Sequence, residues 1–97
     1  MLFLVISSPV PTRPSAVAAS RRKFWAWIDP HLKSGIAKSV YARTGRGAVV
    51  LFDVESNEAL HVLLTEWSDM IPASFELYPL IDPKAAQEYL KKPRARK

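Results

Sequence analysis

The sequence predicts an α+β domain of ferredoxin-like plan, βαββαβ with a four-stranded antiparallel sheet and an extra short C-terminal helix. Three observations lead there. Four strand-length apolar runs alternate with two stretches of helical period in that order. A glycine-rich turn, Thr44-Gly45-Arg46-Gly47, joins the two middle runs as a hairpin. Finally, Leu2 to Ile6 and Ala48 to Phe52 are apolar at every position, where a sheet with one wet face would alternate.

Each element follows from local chemistry. Leu2 to Ile6 is a strand closed by Ser7-Ser8-Pro9, and Pro9, Pro11 and Pro14 hold the next segment extended. Ser15 is the expected cap of a first helix running to Ser34, with Val17, Phe24, Ile28 and Leu32 as its apolar stripe. Gly35 suits the position just past its end. Pro30 lacks an N–H and crowds the carbonyl of Ala26, which predicts a kink or break near Asp29.

Ile36 to Arg43 and Gly47 to Val54 are the hairpin strands. A four-residue loop sets Ser39, Tyr41 and Arg43 on one face, across from Val50 and Phe52. Ser56 caps a second helix with Glu58 in its first turn and Leu60, Leu63, Leu64 and Trp67 as its buried stripe. Ala73 to Leu80 is the fourth strand, at an edge because of Pro79. Asp82-Pro83 starts a short helix over residues 84–92, stopped by Pro93.

The chain of 97 residues is one domain, residues 1–92, followed by a basic flexible tail, 93–97. A domain this small buries only about 60–65% of its unfolded surface, so association adds much to its stability. Two helices cover one face of a sheet whose central strands are apolar on both. A second copy is the natural cover, giving a homodimer or higher homo-oligomer.

Composition excludes several functions. The net charge of +5 arises wholly from Lys91, Lys92, Arg94, Arg96 and Lys97, since residues 1–90 balance nine cations against nine anions. A neutral body with a basic end is not a nucleic-acid interface. No run reaches the ~18 apolar residues of a membrane span, and Leu2 to Ile6 lacks the flanks of a signal peptide. The chain has no cysteine, in keeping with a reducing compartment, and the expected location is cytoplasmic.

The stretch Phe52-Asp53-Val54-Glu55-Ser56-Asn57-Glu58-Ala59-Leu60-His61 resembles the FDV-x-S-x-x-ALH segment of the muconolactone delta-isomerase family. The resemblance extends to Met1-Leu2-Phe3, to Gly35 and to Ile71-Pro72, over most of residues 1–83. It implies a dimeric α+β barrel, two sheets packed face to face, with a pocket between each sheet and its helices. It also implies cofactor-free proton transfer on a small molecule. Tyr41 falls where the family has an aromatic residue and Lys38 where it has a cation. The first helix departs from the family's Lys/Glu-rich stretch, reading Arg21-Arg22-Lys23-Phe24-Trp25-Ala26-Trp27 with no carboxylate before Asp29.

Two histidines are present. His61 shares the solvated face of the second helix with Glu58 and Thr65, whereas His31 sits beside Pro30 near the apolar stripe, where an imidazole can serve as general base. Neither has a neighbour at metal-ligand spacing, so no metal and no cofactor is expected. His31, Tyr41 and Arg43 are the candidate catalytic residues, the last two as donors to an enolate or carboxylate. Trp25, Ser39 and Lys38 are the candidate substrate-binding residues, with the rim of a dimer as the other place for Lys38.

The expected function is a cofactor-free enzyme that isomerises, cyclises or otherwise transfers a proton on an oxygenated, lactone- or polyketide-like metabolite. A non-catalytic binding or assembly module on the same fold is the alternative, and a cofactor-free monooxygenase a further one.

Overall fold

The computed structural model describes residues 1–91. Its elements are β1 (Leu2–Pro9), a 3₁₀ turn (Pro14–Val17), α1 (Ala18–Ser34), β2 (Ala37–Ala42), β3 (Ala48–Asp53), α2 (Asn57–Met70), β4 (Ala73–Leu80) and α3 (Pro83–Lys91). The sheet order is β2-β3-β1-β4, with all neighbours antiparallel. This is the ferredoxin-like α+β fold, with β1 and β3 at the centre and Pro79 on an edge strand as expected. The expected tail, 93–97, lies outside the described residues.

The register divides the sheet into two apolar faces. Phe3, Val5, Ser7, Ala48, Val50 and Phe52 are buried beneath the helices. Phe24 and Ile28 of α1 and Leu60, Leu63 and Trp67 of α2 close over them. Trp67 is the hub of this core. Its ring centroid lies 5.0 Å from Phe24, 5.1 Å from Phe75, 6.3 Å from Trp27 and 6.5 Å from Phe52. The one buried polar side chain among the described residues, Ser7, is satisfied, its Oγ accepting from the Ala48 N–H at 2.9 Å. That bond continues the β1–β3 pairing one residue past Ile6 and Val49, the last pair of the ladder.

On the opposite face, pairing sets Leu4 against Leu51 and Ile6 against Val49, with Tyr78 and Leu80 of β4 beside them. The central residues of this face are half-buried, and Tyr78 and Leu80 are exposed. Among the described residues no helix covers it with buried side chains, for α3 buries none of its own. Tyr78 donates its hydroxyl to Glu76 Oε2 at 3.1 Å. That bond, with the carboxylate charge, raises the Tyr78 pKa above the usual phenol value. A raised acid pKa means stability from this contact is present below the ordinary phenol pKa and is lost as pH rises through the shifted one. Ultraviolet titration should show one tyrosine ionising late, and Glu76→Gln should bring it back to the ordinary value.

Three expectations are corrected. The helix does not break near Asp29: α1 runs unbroken through Pro30. Ala26 and Pro30 are both exposed, so water can take the bond that the missing N–H leaves open. Ser15 is not a cap. The chain enters through the 3₁₀ turn, with Pro14 at its first position and no side-chain cap on either segment.

The third correction matters most for function. Arg43 N–H donates to the Gly47 carbonyl at 2.9 Å and Ala42 pairs with Ala48, leaving a three-residue loop, Thr44 to Arg46. Gly45 and Gly47 take up the positive φ angles, 95° and 104°. Ser39 therefore pairs with Leu51 and Tyr41 with Val49, in place of the expected Phe52 and Val50. A slip of one residue moves the whole strand's alternation to the other face, so Ser39 and Tyr41 lie on the face away from the helices. A bulge between Ala37 and Ser39, at Lys38, restores Ala37 and Val40 to the helix side.

Candidate functional site

The candidate site residues fall into three places. Ser39 and Tyr41 belong to the open sheet face, where Tyr41 is 71% exposed. Lys38 sits at the sheet rim, its Nζ 3.8 Å from Asp53 Oδ2, with both side chains about half exposed. His31 and the pair Trp25 and Arg43 line separate cavities at opposite ends of α1.

The His31 cavity is an open cleft of about 370 Å³. It forms where the end of α1 meets the start of α2. Gly35, at φ 88°, turns the chain sharply after α1 and returns its N–H to the Leu32 carbonyl. This carries Ile36 into the wall, where its carbonyl accepts from the Asp53 N–H at 2.8 Å. Ser56 fixes the opposite wall, its Oγ accepting from the Ala59 N–H at 3.1 Å, as its position as cap predicts. From that cap Ala59, Val62, Leu63 and Glu66 follow at helical spacing along the cavity.

The walls are apolar except for His31 and the carboxylates of Asp53, Glu55 and Glu66. His31 is half-buried, its ring 5.0 Å from that of Trp27 in an edge-on contact. The Trp27 indole N–H donates to Glu66 Oε1 at 2.9 Å. Trp27 thus packs against the imidazole while holding the carboxylate of the facing helix. The chemistry available is proton transfer by an imidazole with carboxylates on the same walls, in a cleft open to solvent.

The second cavity, about 60 Å³, lies at the hairpin end. Arg21 and Trp25 reach it from one side of α1, four residues apart, beside Phe24. Arg43 and Arg46 reach it from the hairpin. Arg43 Nη1 donates to the Ser7 carbonyl at 2.8 Å and to Ser8 Oγ at 3.1 Å. Arg46 Nη1 donates to the Val10 carbonyl and Thr12 Oγ1, both at 2.9 Å. The Arg43 stem crosses Gly47, where an added Cβ would come within 2.5 Å of the Ser7 carbonyl and 3.2 Å of Arg43 Cδ. Only glycine permits that crossing.

Of the residues singled out in sequence, His31, Trp25 and Arg43 line cavities, together with Arg21, Arg46, Glu55 and Glu66, which carried no signal of their own. Trp27 offered a signal, since an indole N–H near a core needs an acceptor. Its partner is 39 residues away, beyond any local pattern. His61 is exposed, as its helix face predicts. Among the described residues no three His, Asp or Glu gather to hold a metal, and no helix is long and apolar enough to cross a membrane.

Fold and cavities together define the class: a ferredoxin-like α+β domain with clefts beside its helices. The chain belongs to the family described as domain of unknown function DUF3303, whose profile matches residues 1–94. No curated protein matches it significantly. Among solved structures it is similar to 5-chloro-2-hydroxyhydroquinone dehydrochlorinase from Burkholderia phenoliruptrix AC1100, solved with 2,5-dihydroxybenzoquinone. The TM-score is 0.69 at 18% identity, covering 88% of this chain and 98% of that one. The family shown is thus DUF3303, and the likeness to the dehydrochlorinase is one of fold.

Proposed function

We propose that this domain is a cofactor-free small-molecule enzyme in which His31 moves a proton on an oxygenated substrate. The observation that carries the reading is the cavity of about 370 Å³ around His31. Its size lies within the range of ligand sites, roughly 300–1,000 Å³, and its apolar walls converge on a few polar groups, as such sites do.

The step is an enolisation. The imidazole of His31 takes a proton from a carbon next to a carbonyl, and the C–H electron pair passes into the enolate. The imidazolium then returns the proton to a different carbon, so the substrate is isomerised and the enzyme unchanged. Glu55 and Glu66 line the same walls, and either carboxylate can relay a proton between the imidazole and solvent. Hydroxyquinones are the first substrate class to test, because the similar dehydrochlorinase is named for a hydroxylated chloroquinol and was solved with a dihydroxyquinone. Lactone- and polyketide-like compounds follow.

Assembly belongs to the same reading. The apolar face of Leu4, Ile6, Val49 and Leu51 suits a second copy in a face-to-face homodimer. Tyr41, Ser39 and Lys38 would then belong to the dimer rim, not to the chemistry. The cysteine-free composition accords with a cytoplasmic location.

Hydrogen–deuterium exchange tests the chemistry whatever the natural product of the reaction. In D₂O the wild-type chain should accelerate exchange at the acidic C–H of a hydroxybenzoquinone or a butenolide, followed by proton NMR. His31→Gln should slow that exchange by about 10²-fold or more, the usual contribution of a positioned base. Wild-type rates in His31→Gln, or no acceleration across both compound classes, would sink the reading.

A further inference from the structure

The cavity at the hairpin end has a chemistry that proton transfer does not use. Its lining includes three guanidinium groups, those of Arg21, Arg43 and Arg46, and no acidic side chain. The ion pairs among the described residues are Met1 with Asp53, Lys33 with Asp29 and Lys38 with Asp53. None of the three arginines has a carboxylate partner there. Residues 1–90 balance cations and anions overall, so this is a local concentration of unneutralised positive charge.

The groups are also held in place. Arg43 and Arg46 each spend the two N–H groups of Nη1 on oxygen atoms of the β1 end and the segment after it. The planar fork has five donors, so the remaining N–H groups of each stay available to a ligand. Four separate acceptors and the Gly47 crossing fix the two stems. Such anchoring limits the side-chain entropy that a bound anion would otherwise cost.

We propose that this cavity binds the carboxylate of a small arene carboxylic acid, with the carboxylate among the guanidinium groups and the ring against Trp25. Two features select this class. The fork geometry of arginine matches a planar carboxylate through paired hydrogen bonds. Trp25, 45% exposed and set edge-on to Phe24 with centroids 5.2 Å apart, supplies an aromatic wall beside the arginines. The volume of about 60 Å³ holds roughly four waters at about 15 Å³ each. It thus admits the head group and leaves the ring at the mouth, against Trp25. The site is separate from the His31 cavity, and the two proposals stand or fall independently.

Benzoate is the probe, titrated into the full chain while the three indole N–H resonances are followed by NMR. Saturable movement of one indole signal is expected, and Trp25→Leu identifies that signal by its loss. Arg21→Gln is the key variant, because among the described residues Arg21 makes no hydrogen bond that supports the fold; it should weaken benzoate about tenfold with an unchanged melting temperature, as loss of a charge-assisted contact does. Benzyl alcohol, lacking the charge, and inorganic phosphate, lacking the ring, should each bind at least about tenfold more weakly. His31→Gln should bind benzoate as the wild type does. Equal binding of phosphate and benzoate would overturn the arene class. Unchanged benzoate affinity in Arg21→Gln, or no saturable shift in the wild type, would overturn the site itself.

Discussion

Trp67→Ala should cost about 3–5 kcal/mol of unfolding free energy, the range for deleting a buried large aromatic side chain. Trp67 is only 2% exposed and meets rings from α1, β3 and β4. Its removal leaves a void bordered by elements that cannot all collapse into it, because the sheet is held by its ladders. A domain of this size has a total stability of about 5–15 kcal/mol. The variant should therefore be close to unfolded, or lose roughly 2 M or more in urea midpoint at a slope of about 1–2 kcal/mol/M. Trp67→Phe keeps part of the ring packing and should lose clearly less. A Trp67→Ala midpoint within experimental error of the wild type would show that this cluster is not the centre of the core.

Leu51→Glu should convert a dimer into a monomer. Leu51 pairs with Leu4 at the middle of the open sheet face, so a facing copy would bury a carboxylate without a partner. Burial of such a charge costs several kcal/mol, enough to weaken association by 10²-fold or more. In the isolated chain the same position borders solvent, so the fold itself should survive, with far-ultraviolet circular dichroism unchanged. Sedimentation velocity at low micromolar concentration reads the difference. A wild-type chain that sediments as a monomer throughout, or a variant that sediments as a dimer, would refute the proposed interface.

The fold was legible because its signals are local or repeat along a strand. Unbroken apolar runs in β1 and β3 marked the two central strands, and Pro79 marked an edge. Ser56 and Asp82 announced helix starts, and in both cases the side chain accepts the expected N–H, from Ala59 and Lys84. The failures were of two kinds. Pro30 and Ser15 carried correct local chemistry that the surroundings overrode, through solvent exposure in one case and a 3₁₀ entry in the other. The hairpin error was a count: Gly47 reads as loop or strand with equal ease in sequence, and the choice decides which way Tyr41 faces.

The sites were less legible than the fold because each wall comes from a different element. His31 could be singled out from its own neighbours in the chain. Glu66 could not, since its tie to Trp27 depends on how α1 and α2 pack. Likewise Arg21 and Arg46 gain meaning only when the end of the hairpin meets the start of α1. Pattern reading recovers residues that are unusual in place; it does not recover partnerships between distant ordinary ones.

The three-residue turn between Arg43 and Gly47 is a selector between two surfaces. Drawing Gly47 into the turn, so that Arg43 faced Ala48, would give the alternative register and send Tyr41 and Ser39 beneath the helices and their neighbours outward. The two registers hold the same side chains and differ only in which of them meet the space beneath the helices.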